Sequence, residues 1–185
     1  FAEAKTLRNI ALVDRAQGRL EKARAGVERA ITLLEFIRSG TGGPENRYSF
    51  LATVYDYYEF YTDLLMSMHA ADPKAGYDSK ALKVSEQARA RTLATVRFFR
   101  NAPQGTQRVG MTGHKGFFYH FLDMKTGHRA GRNVELSTVD TALLIGGMLH
   151  AQAYFDGDHP DEAEIRALVD QIYWRVDWKW AQVRG

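Results

Sequence analysis

With 185 residues, 45% of them apolar and 12% aromatic, the chain can bury one substantial core, and its interspersed charges exclude a disordered tract. It contains no cysteine, which rules out a disulfide framework and any thiolate metal site. A net charge of +3 without a basic run argues for a solvated surface rather than nucleic-acid binding, and no apolar run reaches the roughly 18 residues of a membrane helix.

No charged-then-apolar leader opens the sequence, and its first residue is Phe1, so it reads as a processed product or a fragment. Residues 2 to 38 are rich in Ala, Arg, Glu and Leu. Leu20, Ala23, Val27, Ala30, Ile31 and Leu34 recur there at three- and four-residue steps, which predicts one long helix, or two with Gly18 as the break. Ser39 to Pro44 is a glycine-rich connector. It lacks a Lys-Ser/Thr step and follows a helix rather than a strand, unlike a phosphate-binding loop. A second helix, Ser49 to Ala70, carries Leu51, Val54, Tyr55, Tyr58, Tyr61, Leu65 and Met68 on more than one side, which implies burial between neighbours. Its tyrosines, Tyr55, Tyr57, Tyr58 and Tyr61, read as core with hydroxyls at the rim, in preference to a sugar-stacking wall. Asp72 to Gly76 breaks the chain. A third helix, Ser79 to Arg100, directs Leu82, Ala88, Leu93, Val96 and Phe99 inward and ends at Asn101 to Gly105.

Beyond a polar loop, Phe117 to Leu122 is a gapless aromatic run. Alternation puts Phe117, Tyr119 and Phe121 on one face of a strand and Phe118, His120 and Leu122 on the other. Asp123 to Gly127 supplies a turn in which Gly127 takes positive φ, completing a short β-hairpin. Ser137-Thr138-Val139-Asp140 has the form of a capping box with Asp in place of Glu, opening a helix from Val139 to Phe155 whose Ala142, Gly146, Gly147 and Ala151 admit a close neighbour. Asp156 to Pro160 is a turn without the spacing of a calcium loop. A last helix runs from Pro160 or Asp161 to Gln182 with Ile165, Leu168, Val169, Ile172 and Val176 as its buried stripe.

GFFYHFLDMKTG (116 to 127), ELSTVDTALL (135 to 144) and IYWRVDWKW (172 to 180) together resemble the glycoamylase-like domain family, whose characterised members include β-1,2-glucan-degrading enzymes on an (α/α)6 toroid. The resemblance covers about residues 92 to 180. It implies a single all-α domain over 1 to 185, made of antiparallel helical hairpins with a small β-hairpin insertion and forming only part of the toroid. It further implies a periplasmic or secreted place and an oligosaccharide or glucan as partner, with self-association or a missing C-terminal half completing the structure.

The residues themselves narrow the chemistry. Six scattered histidines form no His-Glu-x-x-His pair, so no metal and no cofactor is expected. Gly-x-Ser-x-Gly is absent and Ser137 is accounted for as a cap. Paired carboxylates are the better lead, since glycoside hydrolysis uses one as acid and another as base or nucleophile. Glu135 and Asp140 are the candidate catalytic pair. On one helix they would point about 140° apart, so they converge only because Glu135 precedes the N-cap. Asp140 has a second reading, as an acceptor of backbone N–H groups in the first turn. Tyr119 and His120 on the strand and Arg132 in the loop after it are candidates for substrate contact. Trp174, Asp177 and Trp178, at i, i+3 and i+4, would share a helix face suited either to a sugar subsite or to packing against a partner helix. The resemblance favours sugar contact. The expected function is therefore a glycoside hydrolase-like enzyme acting on a glucan. The competing expectation is a non-catalytic helical glucan-binding or protein-interaction module.

Overall fold

The computed structural model describes residues 2–36, 48–123 and 125–182, with side chains excluded for 48–55. Six helices and a small antiparallel sheet make up these residues: α1 (Ala2–Ala16), α2 (Leu20–Phe36), α3 (Tyr48–Ala71), α4 (Tyr77–Asn101), β1 (Gly113–His114), β2 (Phe117–Tyr119), β3 (Leu136–Ser137), α5 (Thr138–Tyr154) and α6 (Pro160–Arg175). The fold is thus mostly α with a small β element. The glycine-rich connector and the side chains of Leu51, Val54 and Tyr55 lie outside the described residues. Two compact units are distinguished, one holding Thr53–Ala88 with the preceding α1 and α2, the other Arg89–Gly185 with the first residues of α3.

In the first unit Gly18 takes φ 73° and separates α1 from α2, confirming the break. The two helices pack antiparallel, with Arg29 paired to Glu3 at 3.1 Å near one end. Ala23, Val27, Ala30 and Leu34 form the buried stripe of α2. On α3, Tyr57, Tyr58 and Tyr61 are buried, as the core reading requires. The Tyr58 hydroxyl donates to Glu35 and that of Tyr61 to Glu28. Burial pushes the Tyr61 hydroxyl pKa up, and its bond to Glu28 adds to the rise. On α4, Ala81, Val84 and Ala88 are buried while Leu82 is 65% exposed. That corrects Leu82 as a core residue: Ala81, Val84 and Ala88 follow the helical stripe, and Leu82 sits about 100° off it.

In the second unit α6 runs beside the second half of α4. Arg89 reaches Glu162, Arg97 makes a bidentate pair with Glu164 at 2.6 Å, and Arg100 donates to Gln171. Arg175 closes the end of α4 by donating to the carbonyls of Phe99 and Arg100, which a helix C-terminus leaves unpaired. α5 turns back along α6, and Gln152 donates to the Arg166 carbonyl and to Asp170. Phe99, Phe117, Phe118, Leu144, Ile145, Met148, Ile165, Val169 and Ile172 form the core.

The sheet has the order β1-β2-β3, with Gly113 opposite Phe118 and Phe118 opposite Ser137. Lys115 (φ 51°) and Gly116 (φ 84°) make the two-residue turn between β1 and β2, both left-handed as a tight hairpin requires. A Cβ at Gly116 would lie 2.5 Å from the Cα of Val176, so only glycine permits the C-terminal segment to cross this turn. The aromatic strand is shorter than its sequence suggests. It ends at Tyr119, Phe121 is exposed and Leu122 buried, and Leu122 pairs with Arg129 in an isolated bridge closing the predicted turn. Asp123 caps that turn, accepting from the backbone of Lys125 and Thr126, and Gly127 takes φ 73°.

Candidate functional site

The site is built at the junction of β2, β3 and the start of α5. Ser137 is the N-cap of α5, and its Oγ accepts from the Asp140 N–H at 3.1 Å. Thr141, fully buried, donates to the Ser137 carbonyl at 2.6 Å and accepts from the Phe118 N–H at 3.0 Å, stitching the helix start to the middle strand. These bonds fix where Asp140 stands. Its carboxylate Oδ2 lies 2.6 Å from His120 Nδ1. The capping-box reading therefore holds for Ser137 but is corrected for Asp140, whose backbone serves the cap while its side chain meets the histidine.

His120 follows β2 directly, and its N–H donates to the Glu135 carbonyl at 2.9 Å. Continuing the register in which Tyr119 faces Leu136, His120 faces Glu135, and opposed residues of an antiparallel pair project from the same face. The Glu135 carboxylate makes no hydrogen bond or ion pair with a described residue and is exposed. The Phe121 ring stacks edge-on against His120 at 4.1 Å between centroids. The helix cap and the strand thus bring the side chains of Asp140 and His120 together, and the strand pairing sets the backbone of Glu135 beside His120.

Tyr119 is buried with the Arg129 guanidinium 4.4 Å over its ring. Adjacent residues of an extended strand point to opposite faces, so Tyr119 faces away from the side on which Phe118 and His120 lie. Arg132 is exposed in the turn before β3 and makes no ion pair with a described residue.

The predicted face of Trp174, Asp177 and Trp178 does not exist. α6 ends at Arg175, and Val176 at φ −75°, ψ 118° is extended, so the three residues leave helical register before Asp177. Trp174 is 79% exposed with its ring edge-on to Tyr173. Asp177 instead accepts from the Lys115 ammonium at 3.1 Å and from the Trp180 N–H at 3.0 Å, while its own N–H donates to the Lys115 carbonyl. Trp178 packs edge-on against Phe117, and Trp180 lies edge-on to His114 and tilted against Phe117. Lys115, Thr141 and Trp180 are the residues that sequence reasoning missed. The Lys115-Gly116 step was the one signal for the first, because glycine there frees a tight turn.

At the level of class, this is a mostly helical protein carrying a carboxylate–histidine pair where a small sheet meets the start of a helix. Sixty-nine residues, 35% of the chain, are 30% identical to an exo β-1,2-glucooligosaccharide sophorohydrolase (non-reducing end) from Parabacteroides distasonis. They cover 10% of that protein, so the chain spans about a tenth of the length of the curated relative it matches. The similarity points to a carbohydrate-active relationship. No protein-family model matches the chain, and no solved structure matches it.

Proposed function

We propose that this chain is part of a carbohydrate-active enzyme that hydrolyses or transfers a glucan, β-1,2-linked glucan first among the candidates, with Glu135 and Asp140 as its working carboxylates. One observation supports the reading: the Asp140 carboxylate lies 2.6 Å from His120 Nδ1, and the pairing of the His120 N–H with the Glu135 carbonyl sets the backbone of Glu135, whose carboxyl is exposed, beside the same histidine. Glycoside hydrolysis needs two such groups on separate supports with space for a sugar and, in inverting enzymes, a water between them. An exposed carboxyl without a bonded partner suits proton exchange with a glycosidic oxygen. A carboxylate held by a histidine and a helix N-terminus suits a fixed negative charge. The similarity to a β-1,2-glucooligosaccharide hydrolase supports the substrate class. In this reading the helices form part of an (α/α) toroid, and Arg132, exposed in the turn before β3, is a candidate for substrate contact near Glu135.

The test is chromatography of products after incubating the purified protein with β-1,2-glucooligosaccharides, with β-1,3- and β-1,4-linked glucans alongside. Products from the β-1,2 substrate are expected. Glu135→Gln should lower turnover by about 100-fold or more, the range of a lost general acid or base, with an unchanged melting temperature. Binding of the oligosaccharide by calorimetry without turnover would replace the enzyme with a glucan-binding module. Full activity in the variant would remove Glu135 from the chemistry.

A further inference from the structure

We infer that His120 is a positioning residue for the carboxylate pair, acting through its Nδ1 on Asp140 and through its backbone on Glu135. The inference rests on the proposed reading of those two carboxylates. It comes from three constraints that meet on one residue. The backbone N–H of His120 is bonded to the Glu135 carbonyl at 2.9 Å, which fixes the chain on which Glu135 is mounted. The ring Nδ1 is 2.6 Å from Asp140 Oδ2, a short charge-assisted contact. Phe121 stands edge-on to the imidazole at 4.1 Å and limits its rotation.

The contact also selects a tautomer. An ionised carboxylate only accepts, so Nδ1 carries the hydrogen. The same carboxylate is anchored from behind, because the Asp140 N–H is held by the Ser137 cap and the next residue, Thr141, is bonded to both Ser137 and Phe118. With strand and helix start both pinned, the remaining freedom of Asp140 is its side-chain rotation. His120 removes it. The pair is partly shielded, with the histidine side chain 37% accessible and that of Asp140 23%, so the contact is neither a free surface ion pair nor a core bridge.

Asparagine can place its amide nitrogen close to where Nδ1 stands, whereas glutamine reaches toward the position of Nε2. His120→Asn should therefore keep kcat on a β-1,2-glucooligosaccharide within about 5-fold, and His120→Gln should lose about 100-fold in kcat with KM within about 3-fold, the scale of a reacting group misplaced by about 1 Å. Melting temperatures of both variants should match each other, which separates positioning from a loss of fold. Independently of any substrate, nitrogen-15 NMR of the wild-type imidazole should show the Nδ1–H tautomer, and Asp140→Asn should shift that population. Equal kcat in wild type and His120→Gln overturns the inference, as does an Nε2–H tautomer in the wild type. A wild type that turns over none of the glucans overturns the glucan reading and, with it, this role for His120. Active wild type with an unaffected His120→Gln overturns the positioning role alone.

Discussion

Thr141 shows how much of the site depends on one small hydroxyl. It is fully buried, and its oxygen both accepts from the Phe118 N–H and donates to the Ser137 carbonyl. Valine has the same shape without the hydroxyl, so Thr141→Val should keep the packing and leave a buried N–H of β2 without its acceptor. We expect a loss of about 1–3 kcal/mol, the cost of a buried unsatisfied donor, read as a lower midpoint in urea with an unchanged slope. A midpoint equal to that of the wild type would show that the strand and helix start do not depend on this bond. Ser137 was recognisable from sequence as a cap because serine three residues before an acid marks a helix start. Thr141 was not, because its partner on β2 lies 23 positions earlier and depends on a strand pairing that local pattern does not specify.

At the scale of elements, the C-terminal segment behaves as a clasp on the β1–β2 turn rather than as the end of a helix. Lys115 and the Trp180 N–H both bond to Asp177 and hold its carboxyl below the usual carboxylate value of 3.8. A carboxyl depressed in the folded state supports that state fully above its unfolded pKa, and the support is lost as pH falls through the lower folded value. The clasp should therefore open only on acidification below about pH 4. Tryptophan emission should then shift to the red, since Trp178 and Trp180 leave their ring contacts, and Asp177→Asn should show the shifted emission already at neutral pH. Emission that stays unchanged in the variant would deny Asp177 this role. Helix periodicity continued through Trp178 in the sequence, and nothing in residue type marks Val176 as a stop. The stop is tertiary: the Asp177 N–H finds the Lys115 carbonyl, and the close crossing at Gly116 requires the extended chain there. The helices themselves were legible because their apolar residues recur every three or four positions. Leu82 failed because a leucine and an alanine one step apart cannot both face inward, and size alone suggested the wrong one.

At the scale of the whole molecule, the helix that carries Asp140 is apolar on more sides than its unit covers. Thr141, Leu144, Ile145, Met148 and Ala151 are buried, while Val139 is 67% and Leu143 58% exposed one turn apart. Gly146, read from sequence as a place of close approach, has open space where a Cβ would be, so no described neighbour uses it. Covering Val139 and Leu143 would each contribute up to about 1.5–3 kcal/mol by removing apolar surface from water. This is the physical basis for expecting that the chain associates with a second copy or with a further segment along this face. Small-angle scattering and light scattering across a dilution series should show mass above that of a monomer, falling as concentration falls. Leu143→Glu should shift the series toward monomer while leaving the melting temperature at low concentration unchanged, because the substituted side chain lies on the solvent side of α5. A compact monomer at every concentration, with the same profile for wild type and Leu143→Glu, would mean that the exposed face of α5 has no partner in this protein.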